Sequence, residues 1–263
     1  MKEFDKLYDI IKTLRGENGC PWDRAQTHKS ILSDLIEESY EFIEAVDEES
    51  PEKMKEELGD LLIHVVFHSR IAEESSEFTL SDVIKGLNEK LTRRHPHVFG
   101  NSKANTTDQV KADWEKIKLS EKGKEDRKSV LDGIPVPLPA LARSQKLQKK
   151  AARTGFDWPG PEPVIQKIRE ETEEIEAEIA GGDKERIMDE IGDLFFATVN
   201  LCRHFKIDSE DAMRHANRKF ERRFRKLEEI CAAEGRDMKS MSLEEMDLIW
   251  DEVKKKENKT RPL

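Results

Sequence analysis

The amino-acid sequence predicts an all-α fold made of two copies of one helical unit, each of four-helix-bundle type. Three observations predict it. Apolar residues recur at helical spacing on both sides of the middle of the chain, and alternating strand runs are absent. Charged residues make up 39% of the 263 and aromatics only 6%, against roughly 25% charged in an average soluble domain, which favours helices with solvated faces. A set of short motifs also recurs in the same order in each half.

Taken in order, the N-terminal run MKEFDKLYDIIKTLRG carries acidic residues and lacks the apolar core of a signal peptide. The aromatic-acidic block CPWD at 20–23 has its counterpart in GFDW at 155–158. Trp22 and Trp158 in these blocks could close a site or anchor the first long helix. EESYE begins at Glu37 and EETEE at Glu170, and EELGDLL begins at Glu56 and DEIGDLF at Asp189, so both motifs recur after 133 residues. Ser50 and Pro51, or Gly181 and Gly182, interrupt the helical run between them, which predicts a helical hairpin in each half. NEKLTRR from Asn88 parallels NRKFERR from Asn217, and WEKIK from Trp114 parallels WDEVK from Trp250. The proline-dense GIPVPLP at 133–139 is hostile to helix, and the polar stretch 119–129 before it has linker composition. The expected domains are 1–125 and 140–263, joined by a linker at 126–139.

The phase of the acids points to chemistry. On a helix of about 100° per residue, Ile31, Leu35, Phe42 and Val46 fall within an arc of about 60°, and Glu38 lies about 20° from its edge. Val164, Ile168, Ile175 and Ile179 make the same arc in the second copy, with Glu171 in the matching place. Folding each hairpin would gather Glu38, Glu41, Glu57 and Asp60, or Glu171, Glu174, Glu190 and Asp193. Four carboxylates about 5 Å apart repel by roughly 3 kcal/mol per pair even at an effective dielectric near 20, so a cation must compensate. An all-carboxylate shell suits Mg²⁺, with Mn²⁺ as the alternative. His64 and His68 are matched by Ala197 and Leu201, which makes them packing residues rather than ligands, and the lack of any Glu-x-x-His weighs against a di-iron bundle.

Lys90 and Arg94, with Arg93 and Asn88, and Lys219 and Arg223, with Arg222 and Asn217, place cations on successive helical turns where they could hold phosphates. A solvated basic stripe is the other reading. Trp114 with Lys118 and Trp250 with Lys254 recur four apart, and either stack a base or pack in a core. The formal charge of -10 offers no broad basic field, so no direct nucleic-acid binding is expected. The apolar runs are too short to span a membrane, and three scattered cysteines suggest neither a zinc site nor a disulfide framework. A cytoplasmic protein is expected.

Through NGCPWD, EESYE, EELGDLL and KLTRRHPHVFG, then GFDW, EETEE, EIGDLFFATVNLCRH and NRKFERRF, the chain resembles the MazG family of nucleoside triphosphate pyrophosphohydrolases in its two-domain bacterial form. The resemblance implies a fold related to dimeric all-α dUTPases, a homodimer, and hydrolysis of NTPs or dNTPs to NMP or dNMP and pyrophosphate. It implies a Mg²⁺ cluster on the eight acids named above, with Glu37 and Glu170 as base candidates beside them. The first copy has His95, Pro96 and His97 where the second has Phe224, Arg225 and Lys226, which continue the helix. The second half is therefore expected to be the main catalytic unit, with Glu170, Glu171, Glu174, Glu190, Asp193 and Lys219 carrying the reaction. The alternative is a catalytically degenerate module that binds a nucleotide or a partner.

Overall fold

The computed structural model describes residues 2–104, 106–120 and 128–260. Among these residues regular structure is helical throughout: twelve α-helices and one 3-10 turn, with no strand. The chain forms two compact units, Met1–Lys124 and Glu125–Leu263. Most of the expected linker is described, but its first two positions belong to residues 121–127, which lie outside the described residues.

In the first unit α1 (Lys2–Leu14) and the short α2 (Pro21–Ala25) lead into a hairpin of α3 (Leu32–Asp47) and α4 (Pro51–Glu74). Pro51 starts α4 without losing a needed N–H, Ser50 accepts from the Lys53 amide, and Glu49 makes the turn at φ 54°. Ile11 of α1 and Ile31 meet Val66, Phe67 and Ile71 of α4 and Leu80 of α5 (Leu80–Arg94) in one core. Burying each such side chain stabilises the unit by roughly 1.5–3 kcal/mol. A capping box between Thr79 and Asp82 opens α5. It ends at Arg94, because Pro96 disfavours helical backbone at His95, and α6 (Pro96–Phe99) and α7 (Thr107–Ser120) follow.

The second unit repeats the plan. After α8 (Ala140–Ala152), α9 (Pro161–Gly181) and α10 (Lys184–His204) form the hairpin, turned by Gly182 at φ 74° and capped by Asp183, whose carboxylate accepts from the Glu185 and Arg186 amides. The second basic helix α11 (Ser209–Ala233) runs unbroken, as its sequence predicts, and packs with α12 (Leu243–Thr260) around Leu227, Cys231 and Ile249. The apolar arcs of α3 and α9 start buried at Ile31 and Val164 but finish exposed, Val46 at 45% and Ile179 at 60%. Among the described residues the companion helices pack chiefly on α4 and α10, and the apolar side chains near the turn end of α3 and α9 stay exposed.

Candidate functional site

Each hairpin brings its acids together. In the first unit, oxygens of Glu38 and Glu41 from α3 and Glu57 from α4 lie within 4.8 Å of one another, and in the second so do those of Glu171 and Glu174 from α9 and Glu190 from α10. Asp60 and Asp193 stand outside these trios but close enough to act on them. Burial raises the Glu38 pKa above its ordinary value, and the charges of Asp60, Glu41 and Glu37 raise it further. Glu57 is raised by desolvation and then by Glu41 and Glu38. Glu190 is raised by desolvation and then by Glu174, Glu171 and Asp193. Repulsion among carboxylates is therefore present at both sites.

The second site is the more enclosed. Glu171 is 2% exposed, its Oε1 lies 2.6 Å from Lys167 Nζ, and its buried Oε2 meets no donor among the described residues. Lys167 also holds Glu170 at 2.7 Å and reaches Glu174 at 4.0 Å. Its ammonium is driven to a higher pKa, first by the hydrogen bonds to Glu170 and Glu171. Desolvation raises Glu174 while Lys167 opposes the rise. Sequence reasoning missed Lys167, although a lysine three, four and seven residues before glutamates on one helix is a readable signal. Its first-copy counterpart, 133 residues earlier, is Asp34. The donor set fits a hard cation: all ligand atoms are carboxylate oxygens, and a buried one is left without a hydrogen bond.

Of the expected substrate-binding residues, Arg94, Trp114, Arg222, Arg223, Trp250 and Lys254 have partners within their own unit. Asn88 and Lys90 are exposed on α5, Arg94 covers the Trp114 ring at 5.3 Å, His95 meets that ring edge-on at 4.8 Å, and Lys118 is half-buried on α7. In the second unit Asn217 is exposed and Lys219 half-buried, while Arg222 and Arg223 both bind Glu257, at 2.8 and 2.7 Å. These two cations hold the Glu257 carboxyl below its usual range. Trp250 packs against Phe220 at 5.4 Å and beside the Leu227 cluster, and Lys254 pairs with Asp251. Among the described residues no ion pair joins Lys219, Arg222, Arg223 or Lys254 to Glu171, Glu174 or Glu190. His68 stacks on His28 with their Nδ1 atoms 2.8 Å apart, and the buried His64 lines one cavity with Glu38 and Asp60.

The MazG nucleotide pyrophosphohydrolase domain matches residues 26–99 and again 160–227, over half of the chain. The chain belongs to the MazG family. It is thereby a hydrolase of two tandem MazG domains. It is 45% identical to the nucleoside triphosphate pyrophosphohydrolase of Escherichia coli strain K12 over 260 residues, 98% of this chain and 99% of that one. It is also 45% identical to the nucleoside triphosphate pyrophosphohydrolase/pyrophosphatase MazG of Thermotoga maritima, over 95% of each chain. Bacillus subtilis YabN is 46% identical across 98% of this chain, which spans 53% of YabN. Both MazG matches contain a complete acid set, whereas Trp114, Trp250 and Lys254 lie beyond the matched stretches. No described helix is long and apolar enough to cross a membrane.

Proposed function

We propose that this MazG-family chain hydrolyses nucleoside triphosphates, NTPs or dNTPs, to the monophosphate and pyrophosphate, using Mg²⁺, or Mn²⁺, at Glu171, Glu174, Glu190 and Asp193. The names of its full-length relatives support the reaction. The observation that carries the site is Glu171, which keeps a buried oxygen without a donor and has a carboxylate oxygen within 4.8 Å of those of Glu174 and Glu190. Glu38, Glu41, Glu57 and Asp60 form the corresponding, more open set.

A divalent ion held by these carboxylates would supply Lewis acidity and ease loss of a proton from water. Glu170, held by Lys167 beside the trio, is the candidate base that receives that proton. The water oxygen bonds to the α or the β phosphorus, the bond from that phosphorus to the α–β bridging oxygen breaks, and the fragment that keeps the bridging oxygen leaves with the electron pair, so that either way the products are the monophosphate and pyrophosphate. Lys219, Arg222 and Arg223 on α11 are assigned to the phosphates, with Asn217, Trp250 and Lys254 as further contacts and Lys90, Arg94, Trp114 and Lys118 as their first-half equivalents. This role requires Arg222 and Arg223 to exchange Glu257 for substrate.

A homodimer belongs to the same reading: Ile179, Met188 and Phe195 on the α9–α10 hairpin are 60%, 66% and 54% exposed, and a second copy would cover them. A cytoplasmic setting follows from the substrate. The domains are assigned as 1–125 and 140–263 about a linker at 126–139. Incubating the purified chain with Mg²⁺ and each NTP and dNTP, then resolving the products, tests the reaction. NMP with pyrophosphate is expected; NDP with orthophosphate would contradict it. A module that only binds nucleotide would show no turnover and unaltered affinity after Asp193→Asn.

A further inference from the structure

We propose that Glu257 is an autoinhibitory carboxylate of the second unit: it occupies the seat on Arg222 and Arg223 that substrate phosphates take, competes with them for it, and so sets how tightly the unit holds a polyphosphate. The inference rests on the assignment of these two arginines to the phosphates made above, and it gives their present partner a role.

Arg222 and Arg223 are neighbours on α11, so helix geometry sets their side chains about 100° apart. One carboxylate from α12 draws them together: Glu257 Oε1 accepts from Arg222 Nε at 2.8 Å, and Oε2 accepts from Arg223 Nε at 2.7 Å. Two oxygens on one anionic centre, each taking an N–H from a different guanidinium, form the pattern that a phosphate group also offers. Glu257 keeps the charge this needs, because the hydrogen bonds from both arginines hold its carboxyl below the usual range. The repeat carries the same residue. Glu257 lies seven positions beyond Trp250, Glu121 lies seven beyond its counterpart Trp114, and Arg93 and Arg94 match the arginine pair. Glu121 falls outside the described residues.

The seat is exchangeable. The side chains of Arg222 and Glu257 are 63% and 27% exposed, and ion pairs open to water contribute little, so displacing Glu257 costs a ligand about fivefold in affinity. Lys219 stands three and four residues before the arginines, on the same face of α11, and forms no ion pair among the described residues. Three cations against one carboxylate make a patch that a chain of phosphates fills better than Glu257 does. A polyphosphate engages Lys219 together with both arginines and displaces Glu257, whereas an anion small enough to rest on Lys219 alone leaves Glu257 in place. Every ligand that takes both arginines meets the same competitor, so pyrophosphate is held less tightly along with the substrate and leaves more readily.

The test titrates the full chain with inorganic tripolyphosphate by calorimetry. Glu257→Gln is expected to tighten one class of site about fivefold, and to lower the KM for an NTP and the inhibition constant of pyrophosphate alike without raising kcat. Glu229→Gln removes another exposed acid of α11, the partner of Lys226, and is expected to shift tripolyphosphate affinity by no more than about twofold. Adding Arg223→Ala to Glu257→Gln should cancel the gain. Glu257 lies near the end of α12 and is partly exposed, so its variant folds. Unchanged or weaker binding in Glu257→Gln, with a lower melting temperature, marks a tie between α11 and α12 and overturns the proposal. An equal gain in Glu229→Gln, the sign of a general field, overturns it too. In either case weaker tripolyphosphate binding in Arg223→Ala leaves the phosphate assignment standing, whereas unchanged binding in Arg223→Ala removes the assignment and the proposal together.

Discussion

Asp34 stands one turn before the acids of α3, and Lys167 one turn before those of α9. From the same acid spacing, the two hairpins thereby build sites of different charge. In the first, Asp34 shares a cavity with Glu38 and Asp60, and the carboxylates remain half-buried or exposed. In the second, Lys167 touches Glu170 and Glu171, and Glu171 is driven to full burial. A carboxylate can be buried when a cation stands beside it, and Lys167 in the place of Asp34 supplies that cation. The residues on the companion side differ alike: Arg15 is a cation stacked on Phe67 and tied to Glu74, whereas Gln148, its counterpart 133 residues on, is an amide that donates to the Phe196 carbonyl.

The largest expected effect separates the clusters by metal. Calorimetric titration with Mn²⁺ should resolve two unequal classes of site, and Glu171→Gln should weaken the tighter class by at least about 10-fold while leaving the other intact. A single class unaffected by Glu171→Gln would remove the distinction. Next in size, Lys167→Met should lower the metal-free melting temperature by several degrees, because it leaves Glu171 buried without its cation. It should also enlarge the rise that Mg²⁺ produces. Asp34→Met should do the opposite on a smaller scale, and equal shifts from both would show that the lysine contributes nothing special.

pH sharpens what the clusters share. Glu38, Glu57, Glu174 and Glu190 hold their protons to higher pH folded than unfolded. The folded state therefore binds more protons than the unfolded one across that window, and metal-free stability falls as pH rises above about 4.5. A divalent ion takes the deprotonated form, so the protection by Mg²⁺ should grow between about pH 5 and pH 7. Melting curves with and without Mg²⁺ that keep a constant separation would contradict this. The smallest effect concerns the basic helix. Arg223→Ala should destabilise by about 1 kcal/mol, its side chain being mostly covered, and Arg222→Ala, 63% exposed, by no more than about 0.5 kcal/mol in urea unfolding.

The hairpins were legible in sequence because period and repeat agree: Ser50–Pro51 and Gly181–Gly182 fall at the turns, and Glu38 and Glu171 point where their phase puts them. The exposure of Val46 and Ile179 was not legible, because phase says which face is apolar and not whether anything covers it. Lys167 does not stand out in the sequence because the repeat does not preserve it: its counterpart is Asp34. The positions of Trp114 and Trp250 needed tertiary packing, since a tryptophan four residues before a lysine is compatible with a core or a ligand; the structure sets one against Arg94 and the other against Phe220.

Turnover of Glu57→Gln against Glu190→Gln, assayed by pyrophosphate release with Mg²⁺, tests most directly whether the enclosed acids of α9 and α10 do the chemistry. Glu190→Gln should lose at least about 100-fold and Glu57→Gln should stay within about threefold of the parent. Equal residual activity in the two variants would contradict the account.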